Sequence, residues 1–269
     1  MKERLDKFLQ KNKLTESREK ALELIKAGFV EVNGKIIKKP SFKVSNEDKI
    51  LLKKKFPYVS RAGLKLERAI NSFNLDVKDK VCLDIGASTG GFTDCLLKHG
   101  AKKVYAVDVG KDQLHKSLKE NPMVISYEKL DARNITDKHI PEKVDILVSD
   151  VSFISILKII PHIKKFLKED FEGVILIKPQ FELSPKEVKN GIVKDKNLHI
   201  KAIENIISSL NKEGIVVKDL EYSYPFGTDG NIEFLAFISY QNNSINQEKI
   251  YEIVEKAHKK YKEEKNGST

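Results

Sequence analysis

From Lys80 onward, short apolar runs recur between stretches of helical spacing, and this recurrence limits the chain to few folds. The runs fall at 80–85, 103–108, 123–127, 144–149, 173–177, 215–221 and 232–239. Each has the length of a strand, and their near-continuous apolar character marks strands buried on both faces. Helices fill most gaps, the clearest carrying Ile203, Ile206, Ile207 and Leu210 at helical spacing. The pattern predicts an α/β fold: a Rossmann-like, doubly wound sheet of seven strands with helices on both faces. The last two runs are joined by YSYPFGTDGN, with no helix between them. So short a connection cannot be a parallel crossover, so strand 232–239 is expected to run antiparallel.

The segment ahead of the sheet has a different character. Leu5, Phe8 and Leu9 make one apolar stripe. A second helix is expected from Thr15 as N-cap, through Ala21, Leu22 and Ile25, to Gly28 as its stop. FVEVNGKII then alternates around Asn33-Gly34, a strong hairpin signal. Sixteen Lys/Arg against eight Asp/Glu lie within residues 1–58, which therefore hold +8 of the chain's net +10. Charge concentrated in so small a module predicts a polyanionic partner. The reading is a small α+β domain over 1–58, with the charge run and proline of KKKFPYV as a linker at about 53–59. A large domain follows over 60–241, then a charged helix or tail over 242–269. SRAGLKLERAINSF opens the large domain as a helix with Leu64, Ala69 and Ile70 among charges.

Composition narrows the class. Cys82 and Cys95 are the only cysteines, too few for a disulfide framework or a zinc cluster. No apolar run approaches the roughly 18 residues of a membrane span, and MKERLDKFLQ lacks the apolar core of a signal peptide. The expectation is a cytoplasmic protein without stable membrane association and without a metal.

The loop VCLDIGASTGGFTDCLL follows the first strand of the sheet and opens a helix. Such loops bind nucleotides. A dinucleotide site wants Gly-x-Gly-x-x-Gly, and Ser88 stands where the second glycine would be. No Gly-Lys-Ser/Thr follows, so a phosphate-gripping P-loop is absent. GASTG formally matches a nucleophile elbow, but that elbow follows a later central strand. None of His99, His115, His139, His162, His199 and His258 has a supporting context as its partner. S-adenosylmethionine fits better. It asks for an acidic residue ending the second strand, supplied by Asp108, and a polar residue after the third, supplied by Asp131. Asp84, ending the first, can hold the loop or meet the methionine ammonium. The candidate cofactor residues are Asp84, Gly86, Ser88, Gly90, Gly91, Phe92, Asp108 and Asp131.

GVILIKPQFE raises a separate question, because a buried strand ends there on Lys178. Asp150 ends the neighbouring strand. An antiparallel 232–239 begins on the same edge, with Glu233, and Lys65 on the preceding helix can close the group. Structural salt bridges are the plain alternative, since buried charges need partners. Convergence of all four on the ligand edge points instead to a functional site. Methylating a sugar hydroxyl requires its proton to leave. Lys178 is expected as base or hydroxyl-orienting group, with Lys65 depressing its pKa, Asp150 steering both ammonium groups and Glu233 fixing the geometry.

Together LDIGASTGGFTDCLL, LVSDVSFISI, ILIKPQFE and SRAGLKLE resemble the TlyA family, also labelled haemolysin A-like, over nearly the whole chain. The resemblance implies an S4-like RNA-binding domain, an FtsJ-type methyltransferase domain and S-adenosylmethionine as cofactor. It implies a Lys-Asp-Lys-Glu tetrad on Lys65, Asp150, Lys178 and Glu233. It also implies 2′-O-methylation of cytidine in small- and large-subunit rRNA, with rRNA or ribosomal subunits as partner. Ala62 stands in RAGLK where many relatives are expected to have a second glycine. Within this reading Arg4, Arg18 and Lys20 grip phosphates, and Arg61 reaches RNA near the site. Two rivals remain at this point: a membrane-active haemolysin, and a non-catalytic RNA-binding assembly factor.

Overall fold

The computed structural model describes residues 2–52, 57–227, 230–241 and 244–266. The small domain begins with strand β1 (Glu3–Arg4), helices α1 (Leu5–Lys11) and α2 (Arg18–Lys26), and strands β2 (Val30–Val32), β3 (Lys35–Ile36), β4 (Lys43–Val44) and β5 (Ile50–Leu52). Strands β2 and β3 form the expected hairpin, with Asn33 at φ 51° and Gly34 at φ 82° in its turn. The N-cap of α2 is Ser17, not Thr15: Ser17 Oγ accepts from Lys20 N at 3.1 Å, whereas Thr15 donates its hydroxyl to Ser17 O. Ala21, Leu24 and Ile25 consequently face the core, and Leu22 is only half-buried. Of the expected linker 53–59, residues 53–56 lie outside the described residues. Tyr58 is buried in the large domain, and Val59 N donates to Asp94 Oδ2 at 2.8 Å.

The large domain continues with α3 (Ala62–Phe73), β6 (Val81–Ile85), α4 (Gly91–Lys98), β7 (Lys103–Val107), α5 (Lys116–Lys119), β8 (Val124–Tyr127) and β9 (Val144–Ser149). Then come α6 (Ile160–Ile163), β10 (Leu167–Ile177), α7 (Pro179–Glu182), α8 (Lys196–Lys212), β11 (Val216–Tyr222), β12 (Phe234–Ser239) and α9 (Gln247–Asn266). Seven strands form one sheet in the order β11-β12-β10-β9-β6-β7-β8, and β12 is antiparallel to both its neighbours, as expected. Successive residues of each strand face opposite layers. Cys82, Val104, Val148 and Leu176 pack under α3 and α4. Leu83, Val107, Leu147 and Ile175 pack under α6, α8 and α9. Helix α9 is part of that second layer through Ile250, Ile253, Val254 and Ala257, a stripe at helical spacing.

Strands β7 and β8 extend the sheet to one side of β6, and β9 continues it on the other. The chain therefore reverses direction across the sheet between β6 and β9, where the loops leaving the two strand ends part and leave a crevice.

Candidate active site

Gly86 follows β6 and Asp150 follows β9, one on each side of that crevice. Gly86 has φ +82°, and a Cβ there would stand 2.9 Å from the Asp150 carbonyl oxygen, so only glycine lets the two strand ends come this close. Gly90, at φ +93°, lies tight against Leu118, whose Cδ1 would sit 2.2 Å from an added Cβ. These contacts open the crevice into two cavities of about 340 Å³ each, and Gly86, Ser88, Asp150 and Ser152 line both.

The first cavity is largely apolar, walled by Val107, Val109, Leu130, Ala132 and Ile154, with Asp108 and Asp131 at its edge. Asp108 accepts from Ser88 N at 2.8 Å and Gly110 N at 2.6 Å, so it braces the glycine loop while facing the cavity. Asp131 accepts from Arg133, whose guanidinium holds the carboxyl at about 2, well below the usual carboxylate range. Asp84 lines neither cavity. It is fully buried beneath the loop, where Thr93 of α4 donates its hydroxyl to Oδ2 at 2.6 Å while Oδ1 has no hydrogen-bond partner among the described residues. Burial pushes Asp84 up to about 7, and the Thr93 bonds offset only part of that. Gly91 and Phe92 line the second cavity, whereas Gly90 lines neither and acts through loop shape.

The second cavity gathers Lys65, Asp150, Lys178 and Glu233 with Arg61. Strand register explains why. Ile177 pairs with Phe234, so Lys178 and Glu233 leave adjacent strands at the same edge, while Asp150 leaves β9 beside them. Lys178 Nζ lies 2.6 Å from Asp150 Oδ1 and donates to Ser152 Oγ at 2.7 Å. Lys65 Nζ lies 2.6 Å from Glu233 Oε2. Burial pulls the Lys65 pKa down, but Glu233 and Asp150 outweigh it and the pKa is raised. Burial likewise pushes Asp150 up, but Lys65 and Lys178 outweigh it and hold the carboxyl below its ordinary value. Lys65 is therefore an ammonium locked between carboxylates.

Sequence reasoning missed Ser152, which touches Lys178 and lines both cavities, and Phe153, which lines the first and is 90% exposed at φ +65°. Both lie in an irregular loop, where no periodicity marks a residue. The four cations expected to meet RNA are placed differently from one another. Arg4 and Arg18 both grip the buried Asp6, at 2.9 and 2.8 Å. Lys20 donates to Val59 O at 2.9 Å, and Arg61 lines the second cavity.

The FtsJ-like methyltransferase family profile matches residues 58–240, and the S4 domain profile matches residues 3–50. The chain belongs to the FtsJ-like methyltransferase family. This methyltransferase is 47% identical to Hemolysin A of Brachyspira hyodysenteriae, over 87% of its length and 98% of the relative's. It is 35% identical to the 16S/23S rRNA (cytidine-2′-O)-methyltransferase TlyA of Mycobacterium tuberculosis, over 89% of its length and 91% of that protein's. A solved Streptococcus thermophilus protein named as a hemolysin superposes with a TM-score of 0.78 at 40% identity, over 98% of both chains. The methyltransferase uses S-adenosylmethionine, and the first cavity suits that molecule: apolar walls for a nucleoside, carboxylates at successive strand ends, and a glycine cradle that a Cβ would fill.

Proposed function

We propose that this methyltransferase methylates a ribose 2′-hydroxyl of cytidine in rRNA, with Lys178, Asp150, Lys65 and Glu233 surrounding the reacting oxygen. The supporting observation is that two ion pairs line one cavity, which shares Gly86, Ser88, Asp150 and Ser152 with the cavity suited to the cofactor. When bound, S-adenosylmethionine supplies an electrophilic methyl group. A ribose hydroxyl meets such a group slowly unless it is oriented and relieved of its proton.

Lys178 is suited to both tasks. Ser152 and Asp150 take two directions about its Nζ and leave one for the acceptor oxygen. Acting as base, Lys178 first gives one proton to solvent. Its two remaining N–H groups then keep Ser152 and Asp150, while its lone pair orients the hydroxyl and receives the hydroxyl's proton as the new bond forms. Lys65, kept cationic by Glu233, adds positive potential beside the developing oxyanion. Asp150 holds both lysines in register. Arg4, Arg18, Lys20 and Arg61 meet RNA phosphates, fixing affinity more than sequence. The exposed Phe153 ring at the cavity edge offers a stacking surface for an unpaired base. The TlyA relative's name supports cytidine in rRNA as the target, and ribosomal subunits in the cytoplasm are the setting.

The test is transfer of radiolabelled methyl to rRNA and subunits, followed by mass mapping of 2′-O-methyl groups. Label on cytidine ribose is the expected result. RNA binding without transfer would favour an assembly role instead. The hemolysin name of two relatives raises a membrane-active reading. Among the described residues no helix is long and apolar enough to cross a membrane, and dye release from liposomes tests that reading directly.

A further inference from the structure

Residues 150–154 form the wall between the two cavities. Asp150 and Ser152 line both, while Val151, Phe153 and Ile154 line the first. This wall is not a regular element, and Phe153 sits in left-handed backbone at φ +65°, a strained conformation that a bulky residue keeps only where its surroundings impose it. The surroundings come from the turn after β10. Lys178 donates to Ser152 Oγ, and the Phe181 ring centroid lies 5.1 Å from that of Phe153. Beyond them the Ser155 hydroxyl donates to Glu182 Oε2, and Ile156 N donates to Glu182 Oε1 at 3.3 Å. Ser155 Oγ also accepts from Leu157 N, capping the 3-10 turn Ile156–Lys158. Glu182 thus ties the far end of the wall to the same short helix, α7, whose N-cap is Lys178.

We propose that Glu182 is a positioning residue of the methyl-transfer site, holding residues 150–156 so that Asp150 and Ser152 keep Lys178 aimed at the acceptor hydroxyl. The inference rests on the reading of the two cavities given above. Glu182 itself lines neither cavity, and among the described residues no cation pairs with it. Burial raises its pKa, and the bonds from Ser155 and Ile156 recover only part of the penalty. A carboxyl raised in the folded state makes stability fall as pH climbs past its ordinary range.

The experiment uses the full chain carrying Glu182→Ala, Glu182→Gln or Ser155→Ala. It reads S-adenosylhomocysteine affinity by calorimetry, kcat and KM for rRNA methylation, and thermal melting at pH 7.5. Glu182→Ala is expected to lower kcat about tenfold or more and to weaken S-adenosylhomocysteine about threefold to tenfold, in a chain that is still fully folded at the assay temperature. Glu182→Gln, which keeps an acceptor for Ile156 N, should recover part of the loss, and Ser155→Ala should lose less than Glu182→Ala. Wild-type kcat and ligand affinity in Glu182→Ala would overturn the proposal. So would a loss that merely follows a lowered melting temperature while Ser155→Ala behaves as wild type. If wild type itself methylates no rRNA, the proposed function fails, and the calorimetry still decides on Glu182: unchanged affinity in Glu182→Ala overturns its role, weakened affinity supports it.

Discussion

Asp6 in the small domain and Asp150 in the large one are both shielded carboxylates flanked by two cations, yet the clusters are built inside out relative to each other. Asp6 is fully buried, while the side chains of Arg4 and Arg18 are 38% and 43% exposed. Around Asp150 the lysines are buried too, and a second carboxylate, Glu233, completes the set. The first arrangement leaves a surplus positive charge at the surface, on guanidiniums whose directions are fixed from below. The second is balanced in charge among its four side chains and mostly buried at the wall of a cavity. A cation-rich outside suits a large charged partner that stays in water. A balanced interior suits one small hydroxyl whose proton must be handled without importing charge.

The sharpest way to break this contrast is Lys178→Ala. If the inner cluster performs proton transfer, methylation of rRNA should fall by about 100- to 10,000-fold while S-adenosylmethionine affinity stays within about threefold. Collapse of folding would instead make Lys178 a structural partner of Asp150, and the two clusters would differ only in depth.

Asp84 sharpens the contrast from the other side, since it is buried and, among the described residues, no cation pairs with it. Its folded-state value of about 7 lies above its ordinary 3.8. The folded chain therefore holds that proton more tightly, and the associated stability is complete below pH 4 and lost as pH rises through 7. Wild type should lose about 2 to 3 kcal/mol from this group between pH 5 and 8. Asp84→Asn should abolish that loss, as read by denaturant melts across the range.

Much of this was legible in the chain because strand ends are. Asp84, Asp108, Asp150 and Lys178 each close an apolar run, and a parallel sheet puts such ends on one edge whatever the loops do. The antiparallel return of β12 followed from the length of its connection, which also placed Glu233. Charged strand residues hid the first half of β10, whose Lys168–Glu172 stretch does not read as a buried strand. The pattern also misled at α2. Thr15 and Ser17 are both good caps, and only the backbone decides between them. The stripe of Ile250, Ile253, Val254 and Ala257 was available to mark α9 as a packed helix, though its many charges obscured it. Ser152 and Glu182 carried no signal, because their contacts join a loop to a turn 26 or more residues away. The same holds for Arg4 and Arg18. Sequence names them as cations, and only the fold shows that they share Asp6.

Asp6→Asn tests whether that shared carboxylate matters to the small domain. Hydrogen bonds from Arg4, with further help from Arg18, hold Asp6 at about 2 against an ordinary 3.8. Its stabilisation is present above pH 4 and disappears as pH falls through 2. The variant should be about 2 kcal/mol less stable at pH 7 and indistinguishable from wild type near pH 2.

The smallest expected effect separates the two clusters by salt. Each guanidinium that meets a phosphate releases condensed counterions, so Arg4→Gln and Arg18→Gln should each reduce the slope of log affinity against log salt by about one, whatever the RNA sequence. Lys178→Ala should leave that slope unchanged, because a residue inside a charge-balanced cluster exchanges no counterions with a phosphate. Filter binding of an rRNA fragment between low and moderate salt measures all three. Equal slopes for wild type and both arginine variants would mean that Arg4 and Arg18 serve Asp6 alone, and that the small domain's outward charge meets RNA through its lysines.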